Sequence, residues 1–492
     1  MNITIQKAKN GEETACAEGH FLHSNYAPKK EAERFVQNLN IPYTPSAIII
    51  SEPALSYTVE YLRHKYPQTK IGAIRYTPDF NNYNSGFDFV FNYYEHQDFE
   101  VYLESKLNEE ELLTAFFTPW QPSQQVFKEA DKLVWNAIKS ALLRSKTLLI
   151  TRQYFEKKWF LNSCNFIKYV SKQVSLQLPV QKETLIISSG PSLNPFITFI
   201  KENRNKFFIL CLSSAISVCL ENTIIPDLCM TTDGGYWAGE HLKVLSKNNI
   251  PAAMPSEAYC PKNILSDLKI LPLDYGDGIS SELVGFTELK PLRAVRNGTV
   301  SGTALLFAAN YCTKNIYLCG MDMACQKGFQ HAQPNQLELN SSLFDSRLHT
   351  KQARLTRSEF NGGSLDIYRD WFINYPINLG NRKVFRLIEE KDRKNNLGWI
   401  KDISLKEFER ISENILETEQ VCFSTERFHK NLSDLQNFIC KNENNEKWKK
   451  QLFPLDYVLY SHNPENDQVK DKINKEWNEL KNKAWEIFNA DL

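Results

Sequence analysis

The chain has eleven cysteines among 492 residues, yet none is spaced as Cys-x-x-Cys. An odd count fits a disulfide framework poorly. Cys211, Cys219, Cys229, Cys312 and Cys319 fall within apolar segments and read as buried reduced thiols, which suits a reducing, cytoplasmic setting. Net charge is also missing, because 58 Lys and Arg balance 58 Asp and Glu. That argues against a broad basic surface for nucleic acid. No run of eighteen apolar residues occurs, so no membrane span is expected. The first nineteen residues lack an apolar signal core and carry Glu12, Glu13 and Glu18, so export is not expected. Three nucleotide-handling motifs are absent as well: Asp-x-Asp, G-x-x-x-x-G-K-[ST] and a full G-x-G-x-x-G. What remains is a soluble globular composition, 42% hydrophobic and 24% charged, long enough for two or three domains.

Segment patterns divide the chain into four parts. Residues 1–125 read as a small α/β domain, with a strand at Ser46–Ser51, a helix at Tyr57–His64 and a second strand at Lys70–Arg75. Residues 126–180 read as a helical linker, where Val126, Ala130, Leu133, Val134 and Ile138 recur at helical spacing. Its later aromatics, Phe155, Trp159 and Phe160, read as packing residues. Residues 181–350 alternate strand and helix signals. Strands are expected at Leu185–Ile187, Phe207–Leu212, Leu228–Thr232 and Ile316–Cys319, and Leu305, Ala308, Ala309 and Cys312 mark one apolar helix face. Such alternation implies a doubly wound, mostly parallel, Rossmann-like sheet, with ligands at the strands' carboxyl ends. Residues 351–492 read as mainly helical, with no catalytic pattern.

The most informative stretch is Thr184 to Asn194, T-L-I-I-S-S-G-P-S-L-N. A strand that breaks into a small-residue turn before a helix leaves backbone N–H groups able to hold a phosphate. It also reads as an ordinary strand-to-helix turn. Four further polar groups follow the strands. These are Ser213-Ser214, Asp233-Gly234-Gly235, Asn297 to Gly302 (with Thr299 and Ser301), and Gly320-Met321-Asp322 with His331 beyond it. Without Asp-x-Asp, a metal-free site for a donor with one phosphate linkage suits this inventory.

The chain resembles the motility accessory factor family, the flagellin glycosyltransferase-like proteins that share a 6-hydroxymethylpterin pyrophosphokinase-like domain. Leu185–Leu193, Ile225-Pro226-Asp227 and Thr231-Thr232-Asp233 carry part of the match. Gly298 to Ser301, Ile316 to Ala324 and His331-Ala332 carry another. Leu22 to Tyr26, Pro28, Glu31 to Phe35, and Phe155 to Trp159 with Asn162 complete it. The same central segments are similar to bacterial sialyltransferases. That likeness implies Ser189, Gly190, Pro191 and Ser192 at the donor phosphate and Ser213 near the nucleotide. It also implies Ser301 and Gly302 beside the phosphate or ribose; Thr299 and Gly320 are further donor-binding candidates, and Asp233 would contact ribose or acceptor. Two departures stand out. Ser51 to Tyr57 occupies the place of a glycine-rich turn, which argues against a nucleotide role for the N-terminal domain. No Glu-Gly-Gly appears around Asn378-Leu379-Gly380.

The resemblance implies a metal-independent, inverting glycosyltransferase without a cofactor. It would move a pseudaminic or legionaminic type of nonulosonic acid from a CMP-activated donor to Ser or Thr of flagellin. His331 or His349 is the candidate base, since histidine titrates near working pH, and Asp322 would orient it or bind sugar. Pterin pyrophosphoryl transfer and a catalytically inactive flagellin-binding chaperone stay open, and so does a homo-oligomeric state.

Overall fold

The structure is a computed structural model that describes residues 2–95, 99–323, 329–357, 363–375, 377–389, 396–417, 421–465 and 467–490. Ala324, part of the resemblance, lies outside these residues. The chain packs into two units, 1–156 with 444–479, and 157–443 with 480–492.

The first unit opens with an antiparallel sheet of β1 (Ile3–Lys7), β2 (Glu13–Ala17) and β3 (His20–Phe21). A parallel sheet follows, built from β4 (Ala47–Ser51), β5 (Lys70–Arg75), β6 (Phe89–Asn92) and β7 (Phe116–Pro119), in the order β6-β5-β4-β7. Ala47 to Ile50 are fully buried, as a β-branched run covered on both faces should be. Helix Pro28–Asn38 starts on a proline whose missing N–H costs nothing there, and it buries Ala32 and Val36.

Where a glycine-rich turn was absent from the sequence, the loop after β4 still takes glycine-like backbone. Glu52, Ala54 and Ser56 have φ of 39°, 45° and 62°. Each costs roughly 1–3 kcal/mol of strain, so something must hold them. The Glu52–Arg75 pair does so. Both residues are fully buried and meet at 2.9 Å. Arg75 also donates to the Ala54 carbonyl at 2.8 Å, Ser56 Oγ at 2.6 Å and Asn84 Oδ1 at 2.8 Å. Glu52 accepts the Tyr76 N–H at 2.6 Å and the Ala54 N–H at 3.3 Å. Burial pushes the carboxyl up and the guanidinium down, and each charge draws the other back. The loop's shape is therefore fixed by an ion pair rather than by glycine.

His23 secures the same loop, accepting the Leu55 N–H on Nε2 at 3.1 Å. Burial holds its pKa down at about 3. An unfolded chain takes that proton near pH 6.5, so between those values the unfolded state binds more protons. Stability of this unit should then fall as pH drops, by about 1.4 kcal/mol per pH unit for this histidine. Urea unfolding of the full chain between pH 7 and 4.5 checks this. His23→Gln, which keeps an acceptor, should flatten that slope.

The second unit is organised by an eleven-stranded sheet among the described residues. Its strands are β8 (Lys172–Leu176), β9 (Glu183–Ile187), β10 (Phe207–Leu212), β11 (Leu228–Met230), β12 (Ala252–Pro255), β13 (Lys269–Asp274), β14 (Leu292–Arg293), β15 (Ile316–Cys319), β16 (Val384–Leu387), β17 (Lys401–Ile403) and β18 (Phe423–Glu426). The order is β17-β16-β15-β9-β10-β11-β12-β13-β8-β18, with β14 beside β13. Every pairing is parallel except β18 on β8. The doubly wound fold class is as expected. Its extent differs, since β8 lies in the expected linker and β16 to β18 lie in the region read as mainly helical. Helix Val300–Tyr311 is buried from Gly302 through Ala309, so its apolar surface runs all round. It packs across β9, β10 and β15. The five cysteines read as buried thiols are buried and free.

Candidate functional site

Chain order reverses between β9 and β15: β9 leads away to β10, and β15 leads the other way to β16. In open α/β sheets the crevice at such a point receives ligands. Two glycines let the loops there approach. A Cβ on Gly190 would stand 2.5 Å from both Asp322 Oδ2 and the Gly320 carbonyl. Gly320 has φ of 69°, and its added Cβ would run into the Ser188 carbonyl.

The expected free donors of the first turn are engaged. Gly190 N–H donates to the Gly320 carbonyl at 2.8 Å, and Ser192 N–H donates to Asp322 Oδ2 at 3.1 Å. Leu193 N–H donates to the Gly190 carbonyl at 3.0 Å. Asp322 therefore occupies the position a phosphate oxygen would take on Ser192 N–H. This corrects the picture of backbone N–H groups pointing into open space. Pro191 begins a 3-10 segment, Pro191–Phe196, that runs on into helix Ile197–Glu202. Thr299 is the N-cap of helix Val300–Tyr311, and its hydroxyl accepts the Gly302 N–H at 2.9 Å. Ser301 is half-buried in that first turn.

Residues 331–335 lie against these strand ends. Ala332 N–H donates to the Ser189 carbonyl at 2.6 Å, and buried Asn335 donates to the Ser214 carbonyl at 2.9 Å. His331 is thereby brought beside the first two strand ends. Its Nδ1 faces Glu338 Oε1 at 3.6 Å, so Nε2 is the ring nitrogen not engaged by that carboxylate. Arg354 fixes Glu338 at 2.9 Å and is itself clamped by Asp345 at 2.9 and 3.0 Å. His241 lies near enough to feel His331. Burial first, and that neighbour second, hold its pKa at about 4, so it is neutral at physiological pH. His349 is different: it is exposed, in a turn closed by Ser346. Asp233 is exposed too, and its Oδ1 accepts the Gly235 N–H at 2.8 Å.

Several buried polar atoms without a hydrogen-bond partner lie at this rim, as others do in the first unit. Among the described residues they include Ser188 Oγ, Ser192 Oγ, Thr231 Oγ1, His241 Nδ1 and His331 Nδ1. Such atoms are uncommon, and each calls for a ligand, an ion or water. The buried side chain of Ser213 sits with them at the end of β10. The structure thus brings together Ser189, Gly190, Ser192, Ser213, Gly320, Asp322 and His331. Among the described residues no hydrogen bond or ion pair joins His349 or Asp233 directly to that group.

Glu338, Arg354 and His241 carried no signal in the sequence. A Glu seven residues after a His was visible but unremarkable, and Arg354 reaches Glu338 only through the fold. Trp159, expected as packing, supports the rim instead. A Cβ on Gly234 would meet its indole nitrogen at 2.7 Å, and Arg296 lies over its ring at 5.2 Å. Arg296 is held by Glu257 at 2.6 and 2.9 Å.

The fold is a doubly wound α/β domain, with the candidate site at its order reversal. Comparison with known proteins then narrows the class. Residues 158–328, about a third of the chain, match the family described as 6-hydroxymethylpterin diphosphokinase MptE-like. The family resemblance drawn from the sequence is borne out over that segment. Two uncharacterized proteins of Treponema pallidum (strain Nichols) are similar. One is 28% identical over 275 residues, 56% of this chain and 60% of the relative. The other is 24% identical over 119 residues, 24% of this chain and 56% of the relative. The chain thus spans under two thirds of either relative's length. The solved structure of MAf glycosyltransferase from Magnetospirillum magneticum AMB-1 aligns at a TM-score of 0.46 and 12% identity, covering 99% of this chain and 90% of that one. Among the described residues no helix is long and apolar enough to cross a membrane. Nor does any group of three or more His, Cys, Asp or Glu there have a metal-holding arrangement.

Proposed function

We propose that this chain is a glycosyltransferase that moves a nonulosonic acid of the pseudaminic or legionaminic type from a CMP-activated donor to Ser or Thr of flagellin. The observation that carries this reading is the group of unpartnered buried polar atoms around His331, at the order reversal of a parallel sheet. The sequence resemblance and the family match over 158–328 support it.

In this mechanism His331 Nε2 takes the proton of the acceptor hydroxyl, while Glu338 steadies the resulting imidazolium through Nδ1. The acceptor oxygen bonds to the anomeric carbon as the bond from that carbon to the phosphate oxygen breaks. The departing CMP keeps the electron pair. One displacement inverts the centre and requires no metal in its balance. Ser188 and Ser192 hydroxyls serve the phosphate. Asp322 positions the turn and keeps Ser192 N–H from that task, so hydroxyls rather than backbone donors bind the anion.

The family description also names a pterin diphosphokinase, whose magnesium would need converging carboxylates. Asp322 follows β15 and Asp233 follows β11, three strand spacings apart, or about 14 Å. That separation speaks against this pair as a shared metal site. Incubating the purified chain with flagellin and a CMP-nonulosonic acid tests the proposal by peptide mass spectrometry. The expected result is the sugar mass on Ser or Thr peptides with release of CMP. Unmodified flagellin that nonetheless binds the chain would favour the chaperone, and ATP- and magnesium-dependent diphosphorylation of a pterin would favour the kinase.

A further inference from the structure

The four-stranded sheet of the first unit has its own order reversal, between β4 and β7. A cleft of about 620 Å³ opens beside β7, against its end and helix Pro28–Asn38. That size is within the range of small-molecule sites. Three aromatic rings, Phe21, Phe35 and Trp120, share its walls with polar Asn38, Thr118 and two glutamines. Phe35 stands edge-on to Trp120 with ring centroids 5.1 Å apart, and Phe21 is exposed at the mouth. The indole N–H of Trp120 already donates to the Leu22 carbonyl at 2.7 Å, so the ring offers its apolar surface.

Among the described residues the lining includes no lysine, arginine or histidine, and its one charged residue is Glu31. Glu31 Oε2 accepts the Ser24 N–H at 2.7 Å and lies 3.9 Å from His23 Nδ1. His23 is neutral, so it gives that carboxylate no compensating charge. Burial accordingly raises the Glu31 pKa. A phosphate or nucleotide would meet only negative charge here. A cation would answer the carboxylate and also gain from the aromatic faces, as ammonium groups do in aromatic cages.

We infer that this cleft binds an organic cation, an ammonium or guanidinium group carried on an apolar body, with Glu31 as counter-charge and Phe21 and Phe35 as its walls. The inference goes beyond the proposed transfer reaction and stands without it, because every residue involved belongs to the first unit. The cation could belong to a free amine or to a Lys or Arg side chain of a polypeptide. The chemistry is the same for both.

The test uses the full chain with three probes: phenethylammonium, its near-isostere phenylacetate, and acetyl-Phe-Arg-amide. Affinities come from calorimetry and from saturation-transfer NMR. Phenethylammonium should bind at least tenfold more tightly than phenylacetate, and Glu31→Gln should erase that ratio. Glutamine retains an acceptor for Ser24 N–H, so the fold should survive. Phe35→Leu should weaken both small probes and leave their ratio intact. Acetyl-Phe-Arg-amide binding at least as tightly as the free amine identifies a polypeptide source, and weaker binding identifies a free amine. Equal binding of amine and carboxylate, a ratio that persists in Glu31→Gln, or no binding of the amine at millimolar concentration overturns the inference.

Discussion

Glu52→Gln should cost the first unit about 3–5 kcal/mol, the typical result of breaking a buried ion pair by removing one partner. Neutral glutamine leaves the Arg75 guanidinium charged and fully buried, with its counter-charge gone. The same change weakens the acceptor for Tyr76 N–H and releases a loop holding three strained residues. Arg75→Met should do similar damage, because it strips donors from Ala54, Ser56 and Asn84 together. The double variant Glu52→Gln with Arg75→Met should recover part of the loss, since no unpaired charge remains. Recovery should be incomplete because the loop strain stays. Urea unfolding of the four proteins measures this. A Glu52→Gln midpoint equal to wild type would mean the pair does not hold the loop.

The second large effect is expected at Gly320. Alanine there must keep φ near 69° and push its Cβ into the Ser188 carbonyl, a backbone atom that cannot rotate away. Backbone strain of roughly 1–3 kcal/mol adds to overpacking of roughly 1–3 kcal/mol. Relief requires β9 and β15 to separate at their carboxyl ends, which would also move Asp322 from Ser192. Gly320→Ala should therefore lose about 2–6 kcal/mol in the second unit, together with any CMP binding at the crevice. Gly285→Ala is the control. Its Cβ would meet only the Glu282 and Ser281 carbonyls, at 3.2 and 3.7 Å, so its cost should be far smaller. Thermal unfolding and CMP calorimetry on both variants separate the two effects.

How much of this was legible depended on what each residue needed from its neighbours. Phe207–Leu212 and Ile316–Cys319 could be read as strands because each is a continuous apolar run with every residue buried. Lys269–Asp274 could not. Pro272 sits mid-strand, where a proline ordinarily demotes a segment, yet it pairs with Met254 in the interior of the sheet. Ala252 to Pro255 had equally little β character, and packing alone makes it a strand. The small residues after the strands were visible as turns, and Gly190, Ser192, Gly320 and Asp322 meet at adjacent strand ends. Their hydrogen bonding was not visible. Asp322 reaches Ser192 across 130 residues only because β9 and β15 are neighbours. Where His331 and His349 lie needed the same knowledge. Ala332 ties one to Ser189, whereas the other faces solvent.

Single-turnover transfer by His331→Ala, run beside His349→Ala, tests the central claim most directly. Removing a general base typically costs 10²- to 10⁴-fold in rate. The account predicts a loss of about that size for His331→Ala, with donor affinity unchanged and His349→Ala at the wild-type rate. Full activity in His331→Ala, or the loss falling on His349→Ala instead, would contradict it.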